Sequence, residues 1–170
     1  MTLAERFRRW RATRGYGIHS PLAFKVVTQA VRPERGVSYY GEEQLHSRRA
    51  QVLLRTVALL QPAYVWTSPG LPEEYLEAIR LAGCVVRIFD GKVFPDDIDK
   101  ADMVVLDSPK RSLKPVIFPG KALVAFDIKP EFVQKVKNQI KGGILLDAVT
   151  GLIALATSDP QLHSYQVSKF

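Results

Sequence analysis

The sequence predicts an α/β fold with a mostly parallel sheet. Short apolar runs alternate with amphipathic helical stretches through the middle of the chain, which is the pattern of strands joined by crossover helices. Some of these runs are followed directly by an aspartate. Segment 144–157 contains two apolar runs with no helical stretch between them, and this predicts a closing antiparallel hairpin.

Composition is that of an ordinary globular chain. The 170 residues suffice for one domain over 1–170, with an N-terminal helical section (1–61) and a sheet section (62–170). Hydrophobic residues make up 46% and charged residues 24%, as in typical globular proteins. We expect no secretory signal and no transmembrane segment. With Cys84 as the single cysteine, we expect a cytoplasmic location and a buried, unreactive thiol.

The N-terminal stretch predicts a short basic amphipathic helix. Thr2 and Glu5 have the spacing of a capping box, and Leu3, Phe7 and Trp10 share one face. We expect this face to pack on the domain or to mediate self-association. The alternative is an association with nucleic acid or an anionic membrane surface, which would use the arginines of this stretch: Arg6, Arg8, Arg9, Arg11 and Arg14.

Two further helices are expected before the sheet. Ser20 and Pro21 have the chemistry of a helix cap and a first helical position, and this helix is expected to end at Arg32-Pro33. A long helix is expected over 42–61, with its arginines away from the apolar face. His19 is interpreted either as a general base or as a ring that only hydrogen-bonds the turn.

Segment 62–91 is expected to form the centre of the sheet. Its pattern predicts, in order, a strand, a tight loop, a helix and a second strand: 63–67, 68–72, 73–82 and 84–89. The connection 91–102 holds at most one short helix at 95–100, so the sheet is shortened after its second strand. The remaining strands and helix are expected at 103–106, 122–126, 130–140, 144–157 and, at an edge, 162–170.

Three segments carry a resemblance to a known family. Gly17-Ile18-His19-Ser20-Pro21-Leu22-Ala23-Phe24 is similar to a G-[IV]-H-S-P-F-[AV]-F motif. Phe126-Asp127-Ile128 resembles a D-D-I motif, and Leu146-Asp147 with Gly151-Leu152-Ile153 resembles the hairpin that accompanies it. Together they resemble a Bacteroidetes-type group of small bacterial class I S-adenosylmethionine-dependent methyltransferase-like proteins. The resemblance covers nearly the whole chain and implies a Rossmann-like class I methyltransferase fold.

The resemblance also implies a cofactor site, from which the sequence departs. Ser68, Gly70 and Asp90 would contact S-adenosylmethionine. The family's loop is of the E-x-G-x-x-x-G type, because the backbone must approach the cofactor closely. Here the loop reads Trp66-Thr67-Ser68-Pro69-Gly70-Leu71-Pro72, and its prolines remove amide donors. These departures indicate weakened or lost cofactor binding and a scaffold or ligand-binding role. The alternative is an active methyltransferase acting on a small-molecule acceptor.

Asp107 and Asp127 follow predicted parallel strands, so both should lie at the carboxyl edge of the sheet, where open α/β sheets bind ligands. Two carboxylates there could hold Mg²⁺, as in catechol-type methyltransferases, or each could simply cap the next turn. With no third acid in the pattern, Mg²⁺ is not expected. In an active enzyme, the resemblance implies His19 as the base, together with Asp107 and Asp127.

Overall fold

The computed structural model describes residues 1–34, 38–88, 101–109, 120–168 and 170. Within these ranges a mixed seven-stranded sheet has the order β2-β1-β3-β4-β6-β5-β7. The strands are β1 (Tyr64–Thr67), β2 (Val85–Ile88), β3 (Met103–Asp107), β4 (Ala122–Phe126), β5 (Gly143–Asp147), β6 (Gly151–Ala156) and β7 (Leu162–Gln166). The α-helices are α1 (Leu3–Ala12), α2 (Pro21–Lys25), α3 (Arg48–Leu60), α4 (Glu73–Leu81) and α5 (Pro130–Gln139).

The sheet combines a parallel half with an antiparallel insertion. β1 pairs in parallel with β2 and β3, and β3 pairs in parallel with β4. β6 runs antiparallel between β4 and β5, and β7 lies parallel to β5 at the edge. The α/β class, the closing hairpin and the final edge strand are therefore confirmed, and the arrangement is compatible with a Rossmann-like fold. The short helix expected at 95–100 lies outside the described residues.

Apolar side chains cover both faces of the sheet. The larger cluster joins one face to α3, α4 and the helix after residue 20. The smaller cluster joins the other face to α5, through Phe132, Val133 and Val136. Because successive strand residues point to opposite faces, strands such as β4 are apolar throughout. This explains why continuous apolar runs located the strands so closely.

The long helix expected over 42–61 is wrong at its start. Ser47 caps α3 by accepting the Ala50 N–H, while Glu42–Gln44 forms a separate 3₁₀ turn. The side chain of Glu42 pairs with Arg55 and also accepts the Tyr39 N–H at 3.1 Å. Arg55 is 8% exposed, so its expected position away from the buried face is also wrong.

The helix that begins at Pro21 changes type along its length. Ser20 caps it as expected, by accepting the Ala23 N–H. From Val26 to Val31 it continues as a π-helix, whose wider turns end where the Arg32 N–H donates to the Val27 carbonyl oxygen at 2.9 Å. The buried residues of this segment join the larger cluster.

The capping box of α1 is confirmed, but the expected packing of its apolar face on the domain is wrong. Leu3, Phe7 and Trp10 are exposed, because α1 contacts the body through its opposite, polar side. None of the helices in the described part of the chain is long and apolar enough to cross a bilayer. Burial raises the pKa of the half-buried Cys84 thiol, which keeps it protonated and unreactive.

The buried Glu42–Arg55 pair should be sensitive to loss of one partner. Burial alone would raise the pKa of Glu42, but the hydrogen bonds from Arg55 and the Tyr39 N–H outweigh it and leave that pKa lowered. We expect Glu42→Ala to cost about 3–5 kcal/mol in the free energy of unfolding, since Arg55 stays buried without its partner. Urea denaturation measures this cost.

Two further variants complete that test. Glu42→Leu combined with Arg55→Met should recover most of the loss, because no unpaired charge remains. Glu73→Ala removes a partner of the exposed Arg80 and should change stability little. A Glu42→Ala variant as stable as Glu73→Ala would contradict a structural role for the buried pair.

Candidate functional site

The topology places a switch point between β1 and β3. The chain continues from β1 to β2 on one side of β1 and returns to β3 on its other side. Thr67, the last residue of β1, lies opposite Val105 of β3. In open α/β sheets, ligands bind at the carboxyl ends of the strands at such a point. This edge is therefore the candidate functional site.

Ser68 bridges the switch point. Its N–H donates to the Val105 carbonyl oxygen at 2.9 Å, and its hydroxyl oxygen accepts the Asp107 N–H at 3.2 Å. Ser68 is 6% exposed. Its backbone donor and its hydroxyl acceptor are thus both engaged with β3 at the switch point.

The loop after Ser68 is a tight turn. The Leu71 N–H donates to the Ser68 carbonyl oxygen at 3.3 Å, with Pro69 and Gly70 between them. Gly70 has φ +74°, as the third position of a type II turn requires. A Cβ at Gly70 would meet none of the described residues within 4 Å. The glycine is therefore required by the backbone conformation, and the described part of the chain makes no close approach there.

Asp127 is held by a cation from α3. Arg49 donates to both carboxylate oxygens of Asp127, at 2.8 and 2.7 Å, and this interaction raises the pKa of Arg49. Asp127 has φ +48°, a conformation that aspartate tolerates better than most residues. With both oxygens engaged by Arg49, the carboxylate is turned toward the protein's own cation.

Asp107 and Tyr75 lie in the same electrostatic cluster. Burial, followed by the nearby Asp127 carboxylate, raises the pKa of Asp107, while the Ser108 hydroxyl and Arg49 oppose the shift. Burial also raises the pKa of the Tyr75 hydroxyl, again opposed by Arg49. The Arg49 guanidinium therefore interacts with the carboxylates of Asp107 and Asp127 and with the Tyr75 hydroxyl at this edge.

The structure brings together only some of the predicted site residues. Ser68, Asp107 and Asp127 meet at the edge, and Gly70 lies in the adjoining turn. Asp90 lies outside the described residues. His19 is exposed and precedes Ser20, whose N–H faces the Tyr165 hydroxyl of β7 at 3.4 Å.

The expected placement of His19 beside the aspartates has no support in the described contacts. β7 lies three strand positions from β4, which corresponds to about 14 Å at the usual strand spacing. No hydrogen bond or ion pair given by the described residues joins His19 to Asp107 or Asp127. The segments quoted for the resemblance nevertheless share the larger apolar cluster, through residues such as Ile18 and Phe126.

The described residues do not provide a Mg²⁺ donor set. No group of three or more metal-binding side chains (His, Cys, Asp or Glu) occurs among residues 1–34, 38–88, 101–109, 120–168 and 170. Mg²⁺ prefers oxygen ligands in octahedral geometry, and both oxygens of Asp127 are occupied by Arg49. We therefore derive no step through a metal ion.

A small cavity opens beside Asp127, toward α5. Its volume is about 320 Å³, at the lower end of the range for small-molecule sites. Its polar and charged lining residues are Ser108, Asp127, Lys129, Glu131 and Lys135. This arrangement surrounds a small space with two cations and hydroxyl and carboxylate groups.

Thr67, at the end of β1, has an unusual hydroxyl. Its Oγ1 is the one fully buried side-chain polar atom among the described residues that has no hydrogen-bond partner. The residue has no exposed surface. Its side chain points to the same face as Val65, under the larger cluster. The hydroxyl therefore lies in the core beneath the edge, where a ligand at the surface does not reach it.

The sequence interpretation missed Arg49 and Tyr75. Once Ser47 is recognised as the cap of α3, Arg49 falls in the first turn of the helix. A cation there is disfavoured by the helix dipole, and this indicates a specific anionic partner. Tyr75 lies on the buried side of α4, with its ring 4.9 Å from that of Phe126. Its contact with the charged cluster has no sequence signal.

Comparisons with protein-family models, with curated proteins and with solved structures found no match to this chain. The methyltransferase resemblance therefore rests on the three segments quoted above and stays a prediction. What the structure establishes is an α/β domain whose carboxyl edge is held by the protein's own hydrogen bonds and charges.

Asp107 should lower stability at neutral pH. Because its pKa is raised in the folded state, its favourable contribution is present below the unfolded pKa of about 4 and is lost as the pH rises through the folded pKa. We expect Asp107→Asn to unfold at a higher temperature than the wild type at pH 7. The difference should shrink as the pH falls toward about 3.

For Asp159, the expected change in unfolding temperature has the opposite sign. Its pKa is lowered, mainly by the Gln161 N–H, so Asp159→Asn should lower the unfolding temperature at pH 7. Its effect should also fade as the pH falls. If Asp107→Asn lowers the unfolding temperature at pH 7, as Asp159→Asn is expected to do, the assigned electrostatics of Asp107 are wrong.

Replacing the Thr67 hydroxyl should stabilise the protein. Thr67→Val keeps the shape and removes a buried polar atom that has no partner. We expect a gain of about 1 kcal/mol in the free energy of unfolding, measured by urea denaturation. Thr56→Val is the matched control, since its buried hydroxyl donates to the Val52 carbonyl oxygen at 2.7 Å and its removal should bring no gain.

Proposed function

We propose that this chain is a methyltransferase-like α/β domain with weakened or lost S-adenosylmethionine binding, and that it works as a scaffold or ligand-binding module. The observation that carries the proposal is the bridge at the switch point. The Asp107 N–H donates to the Ser68 hydroxyl at 3.2 Å, across the position where the cofactor of such a domain would lie.

The sheet order supports the methyltransferase-like part of the proposal. The resemblance implies a mostly parallel sheet whose last strand returns antiparallel beside its neighbours. β6 runs antiparallel between β4 and β5 in this way, although it is followed by β7, which lies parallel to β5 at the edge. The two hairpin segments quoted for the resemblance fall on these strands, with Leu146-Asp147 at the end of β5 and Gly151-Leu152-Ile153 at the start of β6.

The loop geometry supports the loss of cofactor binding. In the family, glycines let the backbone approach the cofactor. Here Pro69 and Gly70 form a closed turn, and Ser68 uses both of its groups on β3. Trp66 replaces the family's acid and is 6% exposed, packed in the smaller cluster. The Trp66 side chain and the Ser68 hydrogen bonds therefore stabilise the sheet.

The cavity beside Asp127 supports a ligand-binding role. Lys129 and Lys135 line it together with Ser108, Asp127 and Glu131, so it offers both cationic and anionic groups to a small polar ligand. A cavity of about 320 Å³ would bury a compact molecule and leave a larger one mostly exposed.

An active methyltransferase is the second candidate, favoured by one observation. None of the described residues lies within 4 Å of a Cβ added at Gly70, so the space beside it is open with respect to them. In that case Ser68, Gly70 and Asp90 would contact the cofactor, and Asp107, with its raised pKa, would face the acceptor. The chain would act mainly by holding donor and acceptor in line.

Titration with S-adenosylmethionine and S-adenosylhomocysteine separates the two candidates. A ligand with a dissociation constant of about 10 μM, present at about 1 mM, would stabilise the fold by about 2.7 kcal/mol. We expect no such stabilisation in thermal unfolding and no saturable heat in calorimetry. Micromolar saturable binding would contradict the loss of cofactor binding and favour the enzyme.

Two glycine variants locate any binding that does occur. Gly70→Ala and Gly83→Ala impose similar backbone strain, since both glycines have positive φ (+74° and +79°) and open space around an added Cβ. If the cofactor binds at the loop, only Gly70→Ala should reduce the ligand-induced rise in unfolding temperature. Equal rises in both variants would place the binding elsewhere.

A further inference from the structure

The helix α1 is attached to the domain by its polar side. Arg9 donates through one Nη to the carbonyl oxygens of Asp147 and Val167, at 2.8 and 3.0 Å. The Ser168 N–H donates to the hydroxyl of Thr13 at 2.7 Å, and Thr13 is 1% exposed. These contacts fix α1 against the end of β5 and the chain that follows β7.

The apolar side of α1 therefore faces outward. Leu3, Phe7 and Trp10 keep 82%, 57% and 40% of their surface exposed. The rings of Phe7 and Trp10 are stacked with their centroids 5.7 Å apart. A helix that packs on its own domain normally buries such a stripe, so the orientation of α1 is the reverse of the usual one.

Guanidinium groups border this stripe. At about 100° per residue, Arg6 and Arg11 lie on either side of the line through Leu3, Phe7 and Trp10. The guanidinium carbon of Arg14 lies 4.0 Å from the centre of the Trp10 ring. We define the outward face as these six residues: Leu3, Arg6, Phe7, Trp10, Arg11 and Arg14.

We propose that the outward face binds the surface of an anionic phospholipid bilayer. Leu3, Phe7 and Trp10 enter the boundary between headgroups and acyl chains, and the three arginines contact lipid phosphates. Interfacial helices combine an apolar stripe with flanking cations in this way, and aromatic rings favour the same depth. The proposal is independent of whether the carboxyl edge binds a cofactor.

Charge complementarity favours this occupant over the alternatives. A second copy joined through the same face would bring two sets of arginines together, at a cost in repulsion. A nucleic acid would neutralise the arginines but would leave the large apolar side chains of Leu3 and Phe7 without a partner. An anionic bilayer offers acyl chains to the apolar side chains of the outward face and phosphates to its arginines.

Vesicle sedimentation and Trp fluorescence test the proposal on the full chain. We expect binding to vesicles of mixed phosphatidylcholine and phosphatidylglycerol, and little binding to phosphatidylcholine alone. Raising the salt from about 0.1 M to about 1 M should weaken binding, since it shortens the screening length from about 10 Å to about 3 Å. Trp10 emission should shift to shorter wavelength on binding. Trp66 is only 6% exposed in the free protein, so its emission should not change. Trp10→Phe should bind without that shift.

Paired variants separate the two halves of the face. Phe7→Ala with Trp10→Ala, and Arg6→Gln with Arg14→Gln, should each reduce the vesicle partition coefficient by about tenfold or more. All four residues are exposed, so the fold should remain, as thermal unfolding checks. Tyr40→Ala and Lys141→Gln change an exposed aromatic residue and an exposed cation outside the face and should leave partitioning unchanged.

Three outcomes would overturn the proposal. The first is the absence of binding to anionic vesicles, or equal binding by the Phe7→Ala/Trp10→Ala variant. The second is binding to single-stranded RNA that needs the arginines but not Phe7 and Trp10, with no vesicle binding. The third is a dimer in sedimentation equilibrium that dissociates in the Phe7→Ala/Trp10→Ala variant, again with no vesicle binding.

Discussion

Because β1, β3 and β4 pair in parallel, the loops that follow these three strands lie at the same edge of the sheet. The hydrogen-bonding groups of these loops determine how many donors and acceptors at that edge remain for a ligand. Each loop carries a backbone or side-chain group that needs a partner. In a cofactor-binding domain, part of that demand is met by the ligand. Here Ser68 meets it between β1 and β3, and Arg49 meets it after β4. The proposed loss of cofactor binding follows from this local satisfaction, and it needs no change in strand order.

The same principle extends along the sheet to β5 and β7. Arg9 of α1 donates to the carbonyl oxygens of Asp147 and Val167, so an arginine again satisfies the end of a strand. Burial raises the pKa of the Asp147 carboxyl, and Arg9 opposes the shift. Using the polar side of α1 for this purpose leaves its apolar side exposed. The hydrogen bonds of Arg9 thus satisfy carbonyl oxygens at the ends of β5 and β7 and also turn the apolar side of α1 outward.

The sequence predicted those parts of the fold that depend on local patterning. Continuous apolar runs located β3 and β4, because these strands are buried on both faces, and Thr2, Glu5 and Ser20 located their helix caps. The start of α3 was missed because its Ser47 cap was not recognised, and the pairing of Glu42 with Arg55, 13 positions apart, has no local pattern. The orientation of α1 was missed because the amphipathic pattern of a helix does not show which of its sides contacts the domain. Asp107 and Asp127 were placed correctly at the edge by strand order, whereas Arg49 depends on a cap that periodicity does not show.

Residue-resolved NMR can show whether the protein itself satisfies the hydrogen-bonding groups at the carboxyl edge. Amide chemical shifts of Ser68, Gly70, Asp107 and Asp127 would be followed while S-adenosylhomocysteine is added to millimolar concentration. We expect these amides not to shift and the Asp107 N–H to exchange slowly with solvent, because it donates to a 6%-exposed serine. Saturable shifts centred on Ser68 and Gly70, with fast exchange of the Asp107 N–H in the free protein, would contradict it.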